Sequence, residues 1–382
     1  MKITKNRVRK IRIRGSVGAC LSALLIQVGC REKSSDRAVA QTNGAPQASQ
    51  SDSASQSAGV ANLEIVSETE KKERDNFEER VRSLFSEGDF AQLEALAKGF
   101  RETKAKFRNG YWKLRAFYLA FGELPDNATE ANWRELIKQA NRWATTYPKS
   151  VTARIALAEI YQSYAWQART SEAADKVTEE GWKLMAGRLN LALKALREAK
   201  ALPEKCPGWY GASIHVALGR NLERQDYESL FEEAVKAVPD YAAIYEYKAY
   251  YLLPRWYGKE KEWESFAAEM SKRSDIPYSR EIFARAALYL RGLGYFYDEF
   301  SGDKESWSLL KQSFREIEKN YPDSLEIRSR FCLICIKLGD FEEGRTQLNL
   351  LNNKVDISVW ETLDNYQNAI SVLKSSERGP KR

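Results

Sequence analysis

From about residue 68 onward, apolar residues recur at spacings of three and four, and short breakers separate one such segment from the next. Val81, Leu84 and Phe85 form one stripe before Gly88-Asp89. Leu93, Leu96, Ala97 and Phe100 form the next, and Ile155, Leu157, Ala158, Tyr161 and Ala165 form another after Pro148. This spacing places apolar side chains on one face of an α-helix. Alternating apolar and polar runs of the strand type are missing, and the predicted loops are two to six residues long. The pattern predicts an all-α chain of antiparallel helix hairpins, arranged as a right-handed solenoid. Every Phe, Tyr and Trp lies between Phe77 and Tyr366, so the folded core is expected there.

The breakers resemble one another. Tyr147-Pro-Lys-Ser150, Val238-Pro-Asp-Tyr241 and Tyr321-Pro-Asp-Ser324 each follow one helix and open another. Proline ends the preceding helix, and Ser150 or Asp240 is placed to cap the next. Beyond the last of them, Arg328 to Leu338, Gly339-Asp340 and Phe341 to Leu351 read as a tetratricopeptide-like helix–turn–helix. Glu87-Gly-Asp-Phe90 is a similar turn, and Arg224-Gln-Asp-Tyr227 a degenerate relative. The prolines stand 91 and 83 residues apart, so a strict 34-residue period fails and the repeats are irregular.

The amino terminus has a different character. Lys2, Lys5, Arg7, Arg9, Lys10, Arg12 and Arg14 precede fifteen uncharged residues, Gly15 to Gly29, and then Cys30. That apolar run is too short to span a bilayer and suits a signal peptide. The segment resembles a bacterial lipoprotein signal, which implies acylation of Cys30 as the new N-terminus. Gln27 departs from the aliphatic residue preferred there, and an ordinary signal peptide is the alternative. Residues 31–62 hold seven Ser, seven Ala, four Gln and no aromatic residue, too little apolar surface to offset ordering entropy. The expected organisation is a signal over 1–29, a disordered tether over 30–66, a helical-repeat domain over 67–375 and a tail over 376–382. The formal charge of +7 equals the seven basic residues of the leader, so the remainder is formally neutral and no nucleic-acid partner is expected.

Longer motifs carry a family resemblance. Tyr111-Trp-Lys-Leu114, Tyr164-Ala-Trp-Gln-Ala-Arg169, Val177-Thr-Glu-Glu-Gly-Trp-Lys-Leu184, Cys206-Pro-Gly-Trp-Tyr210, Val216-Ala-Leu-Gly219 and Lys248-Ala-Tyr-Tyr-Leu-Leu-Pro-Arg-Trp-Tyr-Gly258 occur in this order. The chain resembles the bacterial family termed domain of unknown function 4034 over roughly residues 75–375. The resemblance implies an all-helical, tetratricopeptide-like domain of exported proteins, with no activity, cofactor or catalytic residue to transfer.

Residue chemistry points to binding. His215, the single histidine, lies in the apolar run Ser213 to Leu218 and reads as a core residue; it excludes a multi-histidine metal site. Cys332-Leu-Ile-Cys335 sits inside an apolar helix, without the exposed helix N-terminus a redox dithiol needs, and reads as core. Cys206 is the most accessible candidate thiol. Glu179-Glu180 reads as a solvated helix start, since adjacent helical residues point about 100° apart. Phosphate loops of the GxGxxG and Walker types are absent, and no cofactor is expected. What stands out is arginine among aromatics. Arg255, Trp256, Tyr257, Trp263, Trp209 and Tyr210 are the candidate partner-binding residues, placed to line a concave helical groove. The expected function is a non-enzymatic binding or scaffolding protein of the bacterial cell envelope. It is membrane-held only through its lipid, faces the periplasm or exterior, and binds a protein or peptide. A glycan-binding lipoprotein is the second reading and a hydrolytic enzyme the third.

Overall fold

A computed structural model describes residues 63–125, 127–170 and 174–376. The leader and most of the tether, with Cys30 among them, lie outside the described residues. Among the described residues the fold is all-α apart from two short strands, β1 (Glu64–Ile65) and β2 (Lys354–Val355). The first helices are α1 (Glu70–Glu87), α2 (Phe90–Thr103), α3 (Lys113–Leu119), α4 (Glu130–Thr146), α5 (Val151–Arg169) and α6 (Glu179–Lys200). They are followed by α7 (Pro207–Gly219), α8 (Arg224–Ala237), α9 (Ala243–Tyr251), α10 (Glu262–Ser271), α11 (Ile282–Gly292) and α12 (Phe296–Glu299). The last are α13 (Lys304–Asn320), α14 (Leu325–Lys337), α15 (Phe341–Leu350), α16 (Ile357–Trp360) and α17 (Leu363–Ser375).

Local chemistry sets many of these bounds. Asp89, Ser150, Ser324 and Asp340 each cap the helix that follows, accepting a bond from the backbone N–H of Gln92, Ala153, Ile327 and Glu343. Gly88 and Gly339 adopt φ of +78° and +79°, a region that admits glycine without steric cost and so permits the sharp turn before each aspartate. Asp240 does not cap. The helix after its proline starts at Ala243, and the Asp240 carboxylate instead takes the Lys104 ammonium at 2.6 Å. Arg224-Gln-Asp-Tyr227 is the first turn of α8 and not a connection. The connection from α9 to α10, residues 252–261, is longer than expected.

The chain divides into two compact units. Unit 1 contains described residues 75–107 and 111–313; unit 2 contains 63–74, 108–110 and 314–376. In unit 1, α5 packs along α6 and also touches α3, α4 and α7, while α9 packs on α7, α8, α10 and α11. Helix α5 is therefore buried around most of its circumference, from Val151 to Trp166. In unit 2, Cys332, Leu351, Val355, Val359, Trp360, Tyr366, Ala369 and Leu373 form a core, and Leu63 packs against it. Residues 63–66 are thus not tether. Strand β1 pairs in parallel with β2, with Glu64 N donating to Asn353 O at 2.9 Å and Val66 N to Val355 O at 3.0 Å. A two-residue strand presents too little periodicity to be seen in a sequence.

Candidate functional site

The sequence-selected aromatics are distributed through unit 1 and face mostly inward. Trp263 is a core residue with 0% exposure, ringed by Phe283, Phe296 and Phe300, and its indole N–H donates to Glu299 O at 3.2 Å. It cannot line a groove. Trp209 is half-buried against Tyr210, with its N–H on Leu196 O at 2.8 Å; the Tyr210 hydroxyl donates to Glu233 at 3.3 Å. Tyr257 stacks on Tyr251 and donates to Leu218 O at 3.1 Å. Only Arg255 of this set is exposed. Its guanidinium lies 4.1 Å from the centre of the Tyr295 ring and bonds Glu299 at 3.1 Å. Cys206 is also buried, 3.3 Å from the Tyr118 hydroxyl, and burial pushes its thiol up from the ordinary range. The apolar core around it overrides the exposure that its place before a proline suggests.

Trp256 leads to an arrangement not visible in the sequence. Its ring meets Trp166 edge-on at 5.8 Å, Trp166 stacks on His215 at 5.7 Å, and His215 stacks on Tyr247 at 4.9 Å. Tyr247 meets Tyr289 at 5.6 Å, Tyr289 meets Tyr250 at 6.3 Å, and Tyr250 returns to Trp256 at 5.4 Å. Six rings close a circuit. They come from α5, α7, α9, α11 and the turn after α9. Ring contacts of this kind add about 0.5–1.5 kcal/mol each beyond area burial.

A polar group accompanies the circuit. Arg115 of α3 is buried, ion-paired with Glu246, and centred 5.0 Å from the Tyr247 ring, 5.2 Å from Tyr289 and 5.1 Å from Tyr111. Burial opposes its charge, but Glu246 and the electron-rich rings hold it protonated, with its pKa well above the ordinary value. Gln162 Nε2 lies 2.6 Å from His215 Nδ1. An amide nitrogen only donates, so Nδ1 accepts and the imidazole proton sits on Nε2. Burial, reinforced by Arg115, lowers the His215 pKa to about 3. Burial also raises the Glu159 carboxyl to about 8, only partly offset by Arg115. At neutral pH the acid is therefore largely protonated and the histidine neutral.

Several of these groups lack partners. Gln162 Oε1, His215 Nε2, Trp166 Nε1, Trp256 Nε1, the Tyr289 hydroxyl and Arg115 Nε are buried without a hydrogen bond. A buried polar atom left unpaired costs about 1–3 kcal/mol, so gathering six in and beside the circuit is expensive for the folded state. Perturbed titrating groups collected in one place are a feature of functional sites and also of buried structural networks. Sequence reasoning assigned His215 to the core, and it is buried there; its neighbours were missed. The available signal was Glu159 and Gln162, two polar residues at i and i+3 on a helix whose surrounding positions Ile155, Ala158 and Ala165 are apolar. Elsewhere, Cys332 and Cys335 are buried in α14 as expected, and burial raises the Cys332 thiol to about 12. Glu179 and Glu180 are exposed in the first turn of α6. Among the described residues, no group of three or more His, Cys, Asp or Glu is placed to hold a metal, and no helix is long and apolar enough to cross a membrane.

Comparison of the chain with protein-family models, with curated proteins and with solved structures gives no match.

Proposed function

We propose that this chain is a non-enzymatic binding or scaffolding protein of the bacterial cell envelope, tethered through an acylated Cys30, that captures a protein or peptide partner. A helical-repeat solenoid presenting a partner surface, and kinship with domain of unknown function 4034, belong to the same proposal. The observation that carries it is a surface patch of unit 1. Arg255 lies over the half-buried Tyr295 at 4.1 Å, and Tyr297, two residues on, is 41% exposed. Arg291 Nε donates to the Tyr297 hydroxyl at 3.3 Å, which holds that ring in place. Ordered tyrosine and arginine at a solvent boundary are the composition of interface hot spots, because they offer contact area at little conformational cost. The outward turn of Arg255, beside an inward Trp256, shifts the surface from the aromatic loop toward the segment 295–297.

The test places a photo-crosslinking amino acid at Tyr297 in the membrane-borne mature protein. The expected result is a defined crosslinked protein that Arg255→Glu weakens about ten-fold, the effect of roughly 1.4 kcal/mol. Labelling no stronger than at an arbitrary exposed site contradicts the reading. Anchoring is tested separately: Cys30→Ala should abolish lipid modification and membrane partition. Mass spectrometry finding Cys30 unmodified in the mature wild-type chain contradicts that part.

A further inference from the structure

We propose that Glu264 and Asp303 share one proton through the hydroxyl of Ser301, and that this proton latches the segment 299–303 onto α10. The latch sets how firmly the partner surface is held, and that consequence, unlike the latch itself, rests on the proposed function.

The proton count follows from the distances. Ser301 Oγ lies 2.9 Å from Glu264 Oε1 and 2.8 Å from Asp303 Oδ2, and Ser301 N donates to the same Glu264 oxygen at 2.8 Å. A hydroxyl has one hydrogen to donate, and an ionised carboxylate only accepts. With both acids ionised, one of the two hydroxyl contacts would set oxygen against oxygen with no proton between them. One added proton satisfies both: Glu264 donates to Ser301 Oγ, and Ser301 donates to Asp303. Its place is Glu264, which is 2% exposed and whose Oε2 is buried without a hydrogen bond. The carbonyl oxygen of a neutral acid tolerates that better than a carboxylate oxygen does. Asp303 is half-buried and already satisfied as an anion, taking Ser306 N at 2.9 Å and the Lys261 ammonium at 3.2 Å. Burial raises Glu264 above its ordinary range and Asp303 adds to the effect, while the Ser306 and Ser301 bonds hold Asp303 well below its own.

The charges that act on Glu264 are Asp303 and Lys261. Those of the elements packed on α10 are engaged elsewhere: Glu246 with Arg115, Lys248 with Glu228, Arg291 with Tyr297, and Glu281 of the turn Ser279–Glu281 with Arg285. Glu262 of α10 pairs with Arg224, and Lys304 and Glu305 at the start of α13 are exposed. Once Glu264 ionises, two anions face one hydroxyl, offset only by the half-exposed Lys261. The native state holds the extra proton, so the latch is closed near the ordinary carboxyl value of 4.5 and opens as pH rises through the raised one. Gly302, at φ +63° with nothing within 4 Å of the place of a Cβ, lets the chain give way there. Glu299, two residues before Ser301, accepts the Trp263 indole N–H on its carbonyl and the Arg255 guanidinium on its carboxylate. The fastening therefore reaches Arg255 directly, and Tyr297 through α12.

The test follows amide hydrogen exchange of residues 299–303 in the mature protein from about pH 4.5 to 8, each rate divided by the intrinsic rate at that pH, beside crosslinking from position 297. Corrected exchange should rise about ten-fold or more across the range, the change that one unit of displaced pKa gives, and crosslinking should fall with it. In Glu264→Gln the amide reproduces the neutral acid, donating to Ser301 Oγ and accepting from Ser301 N, so exchange should stay slow throughout. Asp303→Asn keeps an oxygen to accept from Ser306 N and removes one charge, so the rise should move to lower pH. Exchange that is flat in the wild type, or as steep in Glu264→Gln as in the wild type, overturns the latch. Exchange that responds as expected with crosslinking absent at every pH contradicts the proposed function and upholds the latch. Crosslinking that is present and unmoved by pH while exchange responds overturns the latch's hold on the partner surface.

Discussion

His215 and Glu159 lie close to the same arginine, and burial moves them in opposite directions. The folded His215 titrates near 3 while the unfolded residue titrates near 6.5, so between these values the unfolded chain binds the extra proton and stability falls as pH falls. The folded Glu159 titrates near 8 against about 4.5 unfolded, so the native state holds the extra proton and stability falls as pH rises across that range. The two slopes oppose between about 4.5 and 6.5, and of the pair only Glu159 contributes between 6.5 and 8. Denaturant titrations should show a loss on the order of 1–2 kcal/mol from pH 6.5 to 8. Glu159→Gln should flatten that limb; an unchanged slope contradicts the assignment. Such pairings are illegible in sequence because the partners are brought together by α3, α5 and α7 and share no local motif. The Arg255-Trp256-Tyr257 loop was legible as a turn, from Pro254 and Gly258, but not which of its side chains point out.

Helix ends were the most legible elements, since a cap acts through residues two or three positions away. Ser150 accepts from Ala153 N at 2.8 Å and also bonds the Glu94 carboxylate, which takes the Trp143 indole N–H at 2.8 Å. Burial raises Glu94 from its ordinary range even with these partners. Ser150→Ala therefore removes a cap and one support of a buried acid, and should cost about 2 kcal/mol, the upper end for a capping residue. Asp240→Ala should cost about 1 kcal/mol or less, since the Lys104 ammonium that pairs with this mostly covered carboxylate is itself exposed. Thermal melts of the two variants check this; equal losses would show that the Tyr-Pro-x-Ser and Val-Pro-Asp breaks work alike. Asp240 was misread because Pro-Asp after a helix fits a cap equally well before tertiary contact with Lys104 is known.

At the scale of the molecule, the chain entering unit 2 is fastened before its first helix. Deleting residues 63–66 removes the Leu63 contact and two backbone bonds, and should cost about 2–3 kcal/mol. Calorimetry of the shortened and full mature chains checks this, and equal melting would return these residues to the tether. The helical class was legible because a 3.6-residue period is repeated through most of the chain, whereas the aromatic circuit gathers one or two rings from each of five places. The 254–258 turn divides its side chains, with Arg255 exposed and Trp256 held against Trp166 and Tyr250; on the proposed function Arg255 is the one that meets a partner. The most direct measurement is partner crosslinking from position 297 together with thermal melting for Arg255→Ala and Trp256→Ala. Arg255→Ala should lose about ten-fold in capture with stability unchanged within about 0.5 kcal/mol. Trp256→Ala should lose about 2 kcal/mol of stability, near half the cost of truncating a fully buried aromatic, and should still capture the partner below its melting temperature. The reverse pattern, a stable Trp256→Ala that no longer captures beside an Arg255→Ala that still does, would contradict the account.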